Sequence, residues 1–303
     1  MTFVHLHNHT EFSLLDGAAR IKNMVARAKE LNMPAIAITD HGVMYGTIHF
    51  YQAAKDAGIK PIIGCEVYVA KRSRHDKDGR KDDSSYHLVL LAESQKGYEN
   101  LCRLVSIGFL EGFYYKPRVD REILAQYSEG LIALSGCIAG QLSQLFLEGR
   151  DDEARALALD YQSIFGRDNY YIEIQNHGIQ DELAVLPKLI ALAKELAIPL
   201  VATNDLHYVE QNDAKIHDIL LCIQTGHTRD EENRMRFPGD DFYLKTEEEM
   251  TALFGQWPEA LSNTVAIAER CQVEFSFGEL YLPDYEVPEG YDLHSYLIHL
   301  CQD

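Results

Sequence analysis

The sequence predicts an α/β fold, a distorted seven-stranded (β/α)7 barrel followed by a C-terminal helical extension. Two observations predict it. Seven short apolar, β-branched-rich runs recur at 3–9 (FVHLHNH), 35–41 (AIAITDH), 61–70 (PIIGCEVYVA), 86–92 (YHLVLLA), 130–137 (GLIALSGC), 170–175 (YYIEIQ) and 198–205 (IPLVATND). Amphipathic stretches of helical length lie between them, at 16–32, 45–58, 95–111, 151–165 and 180–197. Continuous apolar runs separated by such stretches read as buried parallel strands joined by crossover helices. A doubly wound open sheet shares this rhythm, and in either topology chemistry gathers at the C-terminal ends of the strands.

Taken in order, the elements place metal-ligand residue types at those ends. Alternation along the first run puts His5, His7 and His9 on one side. Asp16-Gly17 closes the loop that follows, and the second run ends in Thr39-Asp40-His41-Gly42. The third holds Gly64-Cys65-Glu66, and His87 opens the fourth, where the other candidates close theirs. The fifth ends in Ser135-Gly136-Cys137. The helix at 180–197 carries apolar residues at 183, 186, 189, 190 and 193, and the seventh run ends in Asn204-Asp205, with His207 two residues on.

Two segments break the pattern. Residues 71–85 (KRSRHDKDGRKDDSS) form a charged insertion with six basic side chains. It reads as a solvated, flexible loop, with a phosphate-gripping flap as the sharper alternative. Past residue 225 the strand pattern stops; helices at about 246–254 and 258–270 lead into a Pro-containing stretch, 280–290. Residues 292–303 restart an amphipathic helix with Leu293, Tyr296, Leu297 and Leu300 on one face, which points to a fragment of a longer polypeptide.

Singly, each ligand-type residue has an ordinary reading: Asp16 as a helix cap, Cys137 as a small core residue, a rim histidine as a hydrogen-bonded one. Together they do not. Burying that many imidazoles and carboxylates at one barrel mouth is costly unless cations compensate, and about nine donors suit two or three cations better than one.

Composition narrows the classes. The 303 residues bury a core without staples, and no apolar run approaches the ~18–20 residues that span a bilayer. The six cysteines are scattered without a C-x-x-C pair, as expected of reduced thiols in a cytoplasmic protein that meets no membrane. With 28 Lys+Arg against 47 Asp+Glu the net charge is −19, so a polyanion would need another module or metal ions to hold it.

The segments HLHNHTEFSLLDG, AITDHG, GCEVYV, YHLVLLA, SGC and TNDLHYV resemble, in order, the motif series of the polymerase-and-histidinol-phosphatase (PHP) family. FYYKPRVD (113–120), YYIEIQNHG (170–178) and FYLKTEEEM (242–250) are similar to the branch of that family found in bacterial replicative DNA polymerase III alpha subunits. The resemblance implies a PHP barrel with helical extension over 1–272, and over 273–303 a linker and the start of a truncated polymerase palm region. It implies nine metal ligands: His7, His9, Asp16, His41, Glu66, His87, Cys137, Asp205 and His207. In it Glu66 bridges two metals, with His7, His9 and Asp205 around one and His87 and Cys137 around the other, while Asp16, His41 and His207 hold a third. Cys137 stands where many relatives have His, which favours Zn2+ for the trinuclear centre over Mn2+, Mg2+ or Fe.

The implied activity is metal-dependent phosphodiester hydrolysis, a 3′→5′ proofreading exonuclease acting on the primer 3′ end of DNA, with Glu66, Asp205 and His207 as catalytic residues. The implied partners are DNA, polymerase domains of the same full-length chain, and replisome subunits such as the sliding clamp or a proofreading exonuclease. Arg118 and His177 are the candidate substrate contacts, and His5 is expected to support the ligands beside it. Two alternatives stand: a non-catalytic, metal-stabilised scaffold that docks a separate exonuclease, and a phosphomonoesterase of the histidinol-phosphatase type.

Overall fold

The computed structural model describes residues 3–14, 16–82, 84–280 and 282–302. Asp83 of the charged insertion, Tyr281 of the Pro-containing stretch and Asp303 of the last predicted helix lie outside the described residues. In order, the elements are α1 (Ile21–Glu30), β1 (Ala35–Ile38), α2 (Thr47–Ala57), β2 (Lys60–Ala70), β3 (Ser85–Ala92), α3 (Gln95–Leu110), β4 (Arg118–Val119), α4 (Arg121–Gln126) and β5 (Leu131–Leu134). There follow α5 (Gln141–Leu147), α6 (Asp151–Phe165), β6 (Tyr170–Ile174), α7 (Gln180–Leu196), β7 (Leu200–Ala202), α8 (Ala214–Thr225), α9 (Glu247–Phe254), α10 (Pro258–Arg270) and α11 (Leu293–Gln302). Contacts divide the chain into two units, Met1–Val273 and Glu274–Asp303, the second carrying α11. Among the described residues, no helix is long and apolar enough to cross a membrane.

The sheet runs β1-β2-β3-β5-β6-β7, with the two-residue β4 paired to β2. Residues 3–9 close it without forming a regular ladder. His5 and Asn8 carbonyls accept from the Ala37 and Thr39 N–H groups of the β1 side, while Leu206 N–H donates to His7 O and His9 N–H donates to Leu206 O after β7. The curled sheet thus becomes a distorted barrel whose seam is the first segment of the chain.

One strand departs from the all-parallel expectation. β3 pairs antiparallel with both β2 and β5, whereas β1–β2, β5–β6 and β6–β7 are parallel. A strand running backwards presents its first residues where its neighbours present their last, so His87 lies opposite Tyr68 near the C-terminal end of β2.

Alternation then sorts the side chains. One set, including Val67, Leu88, Leu90, Ala133 and Ile172, packs in a core cluster with residues of α3, α5, α6 and α7. The other set, Ile62, Val89, Leu91, Ile132, Leu134, Tyr171 and Val201, packs with Val4, Leu6 and the end of α10 (Ile267, Ala268). Along β2, β3 and β6 that second face continues to Glu66, His87 and Glu173 by steps of two, so one apolar layer ends in a ring of polar groups.

The first helix begins at Ile21 rather than at residue 16, with Arg20 at its cap and no side-chain capping bond, which leaves Asp16 in the loop. That loop is tight: a Cβ on Gly17 would stand 1.9 Å from Thr10 O.

The charged insertion is mostly exposed, as a solvated loop is, but two of its arginines are tied down. Arg72 pairs with Asp82 at 2.6 Å, and Arg74 reaches Glu111, Asp120 and Glu122 at 2.7–3.1 Å. Arg118, 1% exposed, donates to the carbonyls of Gly112, Asp82, Arg74 and Asp76. A planar fork that meets four carbonyls has no substitute in a lysine. Arg118→Lys should therefore lower stability by about 2–4 kcal/mol through the acceptors left unpaired, read by urea denaturation, while the metal content stays that of wild type.

Candidate metal centre

Six separated stretches deliver nine side chains to one rim. Glu66, 1% exposed, lies at the centre: its Oε1 stands 3.2 Å from His7 Nε2 and 2.9 Å from His87 Nδ1, and its Oε2 stands 2.5 Å from His41 Nδ1. Asp205 Oδ1 lies 3.3 Å from His7 Nε2 and 3.1 Å from His9 Nε2. Cys137 Sγ lies 3.6 Å from His87 Nδ1 and 3.8 Å from Glu66 Oε1. On the remaining side Asp16 Oδ2 stands 3.1 Å from His41 Nε2, and Asp16 Oδ1 stands 3.9 Å from His207 Nε2. The His9 ring stacks on His41 at 3.8 Å and packs on His207 at 4.4 Å.

These residues fit divalent cations. Donor atoms sharing one tetrahedral ion with bonds of ~2.0–2.1 Å stand about 3.3 Å apart, the spacing seen here. Three overlapping triads bring their donor atoms within 4.8 Å: His9/His41/His207, His7/His9/Glu66 and His41/Glu66/His87. The Nε2 atoms of His7, His9 and His207 and the Oδ1 atoms of Asp16 and Asp205 are buried without a hydrogen-bond partner. Such atoms are expensive unless something electropositive sits among them.

The electrostatics are those of a charge cluster sharing protons. Burial works against a charged His41 ring, but Glu66 and Asp16 outweigh it and push it up to about 10. Burial opposes the charged form of His7 too, and Asp205, Glu173 and Glu66 together raise it well above the ordinary value. His9 goes the other way: burial, then the neighbouring His41 and His207, push it down to about 3, and burial also lowers His207. Burial would raise Glu66, yet His87, His41 and His7 hold it well below the carboxylate range. Asp205 is likewise lowered against burial by His7 and His207. Burial, then Glu66 and Asp205, keep Cys137 a thiol, so a cation would have to displace its proton.

Local structure explains the placements. Asp205 adopts φ 42°, a left-handed conformation that Asp tolerates better than most residues, and its carbonyl then meets His207 Nδ1 at 2.8 Å. Buried Asp40 accepts from Thr10 N–H, Thr10 Oγ1 and Ser13 Oγ at 2.6–2.8 Å, tying the loop after His9 to the end of β1. Ser13 Oγ in turn meets His9 Nδ1 at 3.1 Å.

An acid and a histidine outside the nine also stand against the cluster. Glu173 meets His7 Nδ1 at 2.7 Å; a lone acid inside the apolar run YYIEIQ was the signal for it. His217, which reads as an ordinary helical histidine, is 2% exposed, and its unpartnered Nε2 lies 3.7 Å from Asp16 Oδ1. Its place on the buried face of α8, with Leu221 and Cys222, was legible only once that helix was known.

Three expected contributors lie elsewhere. Arg118 is occupied as the brace of the insertion, so its donors are not free for a substrate phosphate. His177 is buried, with Nδ1 on Glu182 Oε1 at 2.8 Å, Nε2 on Asn204 O at 2.9 Å and its ring stacked on Phe242. Both nitrogens are taken, and the ring supports the 204–207 turn. His5 bonds Lys245 O through Nε2, and burial pushes it down to about 4. The irregular backbone of 3–9 breaks the alternation that would have turned it toward His7.

A cavity of about 530 Å3 opens onto Asp16, His41, His87, Cys137, Asp205 and His207. Its other walls are mixed: Lys116 and Arg236 are basic, while Ile138, Met235, Phe237 and Phe242 are apolar.

The family model described as PHP domain matches residues 5–177, which include seven of the nine clustered side chains. DNA polymerase III subunit alpha of Treponema pallidum is 50% identical over 99% of this chain and 26% of that protein. The same subunit of Borreliella burgdorferi is 48% identical over 98% of this chain and 26% of its own length, and that of Thermus aquaticus 46% over 99% and 25%. The chain thus spans about a quarter of the length of these relatives. Among solved structures, an amidohydrolase from Chromobacterium violaceum superposes with a TM-score of 0.43 at 16% identity, covering 68% of this chain and 88% of that one, too loose a likeness to add to the assignment. On the ordered motifs, the rim they form and the match over most of the barrel, the chain belongs to the PHP domain family.

Proposed function

We propose that this chain is the metal-dependent phosphodiesterase domain of a bacterial replicative DNA polymerase, removing nucleotides from the 3′ end of DNA through a trinuclear centre. The observation that carries it is the set of buried, unpartnered nitrogen and oxygen atoms converging at the mouth of one cavity. The full-length replicative subunits to which nearly the whole chain is similar supply the substrate class and the expected partners, namely DNA, the polymerase domains and other replisome subunits.

The distances support three cation positions. His7, His9 and Asp205 would hold the first and His87 with Cys137 the second, with Glu66 between them; Asp16, His41 and His207 would hold the third. The Cys137 sulfur makes zinc the first choice of metal. When bound, the cations would supply Lewis acidity toward phosphoryl oxygens and acidify water at neutral pH. The chain's own residues do the rest. Glu66 and Asp205 set the spacing of the first two positions, and His207, fixed by its bond to the Asp205 carbonyl, faces the cavity beside the third. Lys116 and Arg236 at the cavity wall place positive charge where a phosphate chain would enter, against Glu182 on the same wall.

The test pairs elemental analysis with degradation of a mismatched primer. Wild type should carry two or three equivalents of metal and shorten the primer from its 3′ end. Asp205→Ala and His9→Ala should each lower the rate by at least about 100-fold, the scale of losing one preorganised electrostatic contact at a reaction centre. Metal uptake without hydrolysis would favour the scaffold reading, and turnover of histidinol phosphate alone the phosphomonoesterase one.

A further inference from the structure

Glu173 has no place in the expected ligand set, yet it is 1% exposed at the edge of the cluster with every donor around it aimed at its carboxylate. Oε1 accepts from His7 Nδ1 at 2.7 Å, Gln175 Nε2 at 2.9 Å and Thr203 Oγ1 at 2.5 Å. Oε2 accepts from the Gly136 N–H at 3.0 Å. The residue's own N–H donates to Ser135 Oγ at 2.9 Å, so β6 and the loop after β5 are joined twice.

The two oxygens face two different parts of the centre. The Oε1 bond fixes the His7 ring so that Nδ1 donates to Glu173 and Nε2 faces Asp205 and Glu66, the nitrogen left to a cation once its proton is displaced. The Oε2 bond fixes Gly136, immediately before Cys137. Gly136 has φ 85°, and a Cβ there would stand 2.6 Å from His87 O, so this loop lies directly against the backbone of His87. The His87 N–H also donates to Ala139 O at 3.1 Å. One buried carboxylate therefore holds a residue of the first cation position and the loop that carries Cys137 and packs against His87, the two residues of the second.

Stability does not explain it. A buried anion costs several kcal/mol of desolvation even when well bonded, and Tyr171 and Val201 beside it belong to the apolar layer of this sheet. We propose that Glu173 is a positioning residue that couples the first and second cation positions, holding the His7 tautomer with one oxygen and the Cys137 loop with the other. This inference rests on the reading that the cluster holds cations.

The test uses the metal-free chain, kept reduced, titrated with Co2+ and followed by calorimetry and by the thiolate-to-cobalt absorption band of Cys137. Glu173→Gln keeps the shape and removes the charge. It should weaken the first two cobalt affinities by about 10–100-fold and shift or weaken the Cys137 band, although residue 173 touches neither sulfur nor ion. The thermal midpoint in EDTA separates this from misfolding. Should Glu173→Gln fail to fold, Thr203→Val carries the test, with an expected loss of about tenfold. Wild-type uptake with unchanged affinity in these variants, or with the Cys137 band unmoved, overturns the coupling alone. A wild type that takes up no cobalt strikes instead at the metal reading beneath it.

Discussion

Glu66→Gln should strip the chain of at least two of the three proposed cations and, with no metal present, still lower stability by about 3–5 kcal/mol, the usual cost of removing one partner from a buried charge cluster. The size of the effect follows from position. Glu66 approaches histidines from three separate stretches at 2.5, 2.9 and 3.2 Å, closer than Asp16 comes to its three, at 3.1, 3.7 and 3.9 Å. His41 and His7 are held in their charged forms partly by this carboxylate, so a neutral amide leaves both rings short of a counter-charge. The amide also turns an NH2 toward at least one histidine nitrogen or cation. Elemental analysis gives the stoichiometry, and urea denaturation in EDTA gives the metal-free stability. A variant with the full metal complement and an unmoved denaturation midpoint would remove Glu66 from the centre and with it the two-cation bridge.

Most of the clustered rim was legible because its residues sit at places where sequence encodes direction. In H-x-H and D-x-H the i, i+2 spacing pairs side chains on one side, and an acidic or imidazole group closing an apolar run marks the wet end of a strand. His87 could not be placed this way, because nothing in YHLVLLA says which way the strand runs. Only the antiparallel pairing to β2 and β5 brings His87, near its start, to the shared rim. The short elements β4, α4 and α5 escaped for a different reason: two to seven residues carry too little periodicity to register.

The supporting residues were harder still. Arg118 and His177 were read as substrate contacts, but backbone carbonyls from distant positions occupy them, Asp82 and Asp76 for Arg118 and Asn204 for His177. Long-range hydrogen bonding of that kind leaves no local pattern. Glu173 is the instructive exception. An acid inside a fully buried strand must be paired, and that argument alone would have singled it out before any partner was known.

The metal-free chain should be most stable near neutral pH, and cation binding should abolish only the alkaline side of that profile. His41 is pushed up to about 10 and His7 is raised, each facing Glu66 and further carboxylates: Asp16 for His41, Asp205 and Glu173 for His7. A base raised on folding contributes its full stability below its unfolded value of about 6.5 and loses it as pH climbs through the folded value. Between pH 6.5 and about 10, the His41 ring should therefore cost about 1.4 kcal/mol per pH unit, and His7 adds a loss of the same sign. On the acid side the signs reverse. Asp16, Asp205 and Glu66, held below the carboxylate range, stabilise above about pH 4, and that share is lost as pH falls through their lowered folded values. His5 and His9, pushed down to about 4 and about 3, remain neutral when folded while the unfolded chain takes up protons below pH 6.5, so they add to the acid loss. Cations at the centre would replace the protons on His7 and His41 and take that of Cys137, leaving no raised base to titrate. The alkaline limb should flatten in zinc-loaded protein, and calorimetric heats of zinc binding at pH 7 should scale with the ionisation enthalpy of the buffer, with net proton release. An alkaline limb that is absent without metal, or heats independent of buffer, would mean that His7 and His41 do not share protons with the carboxylates around them.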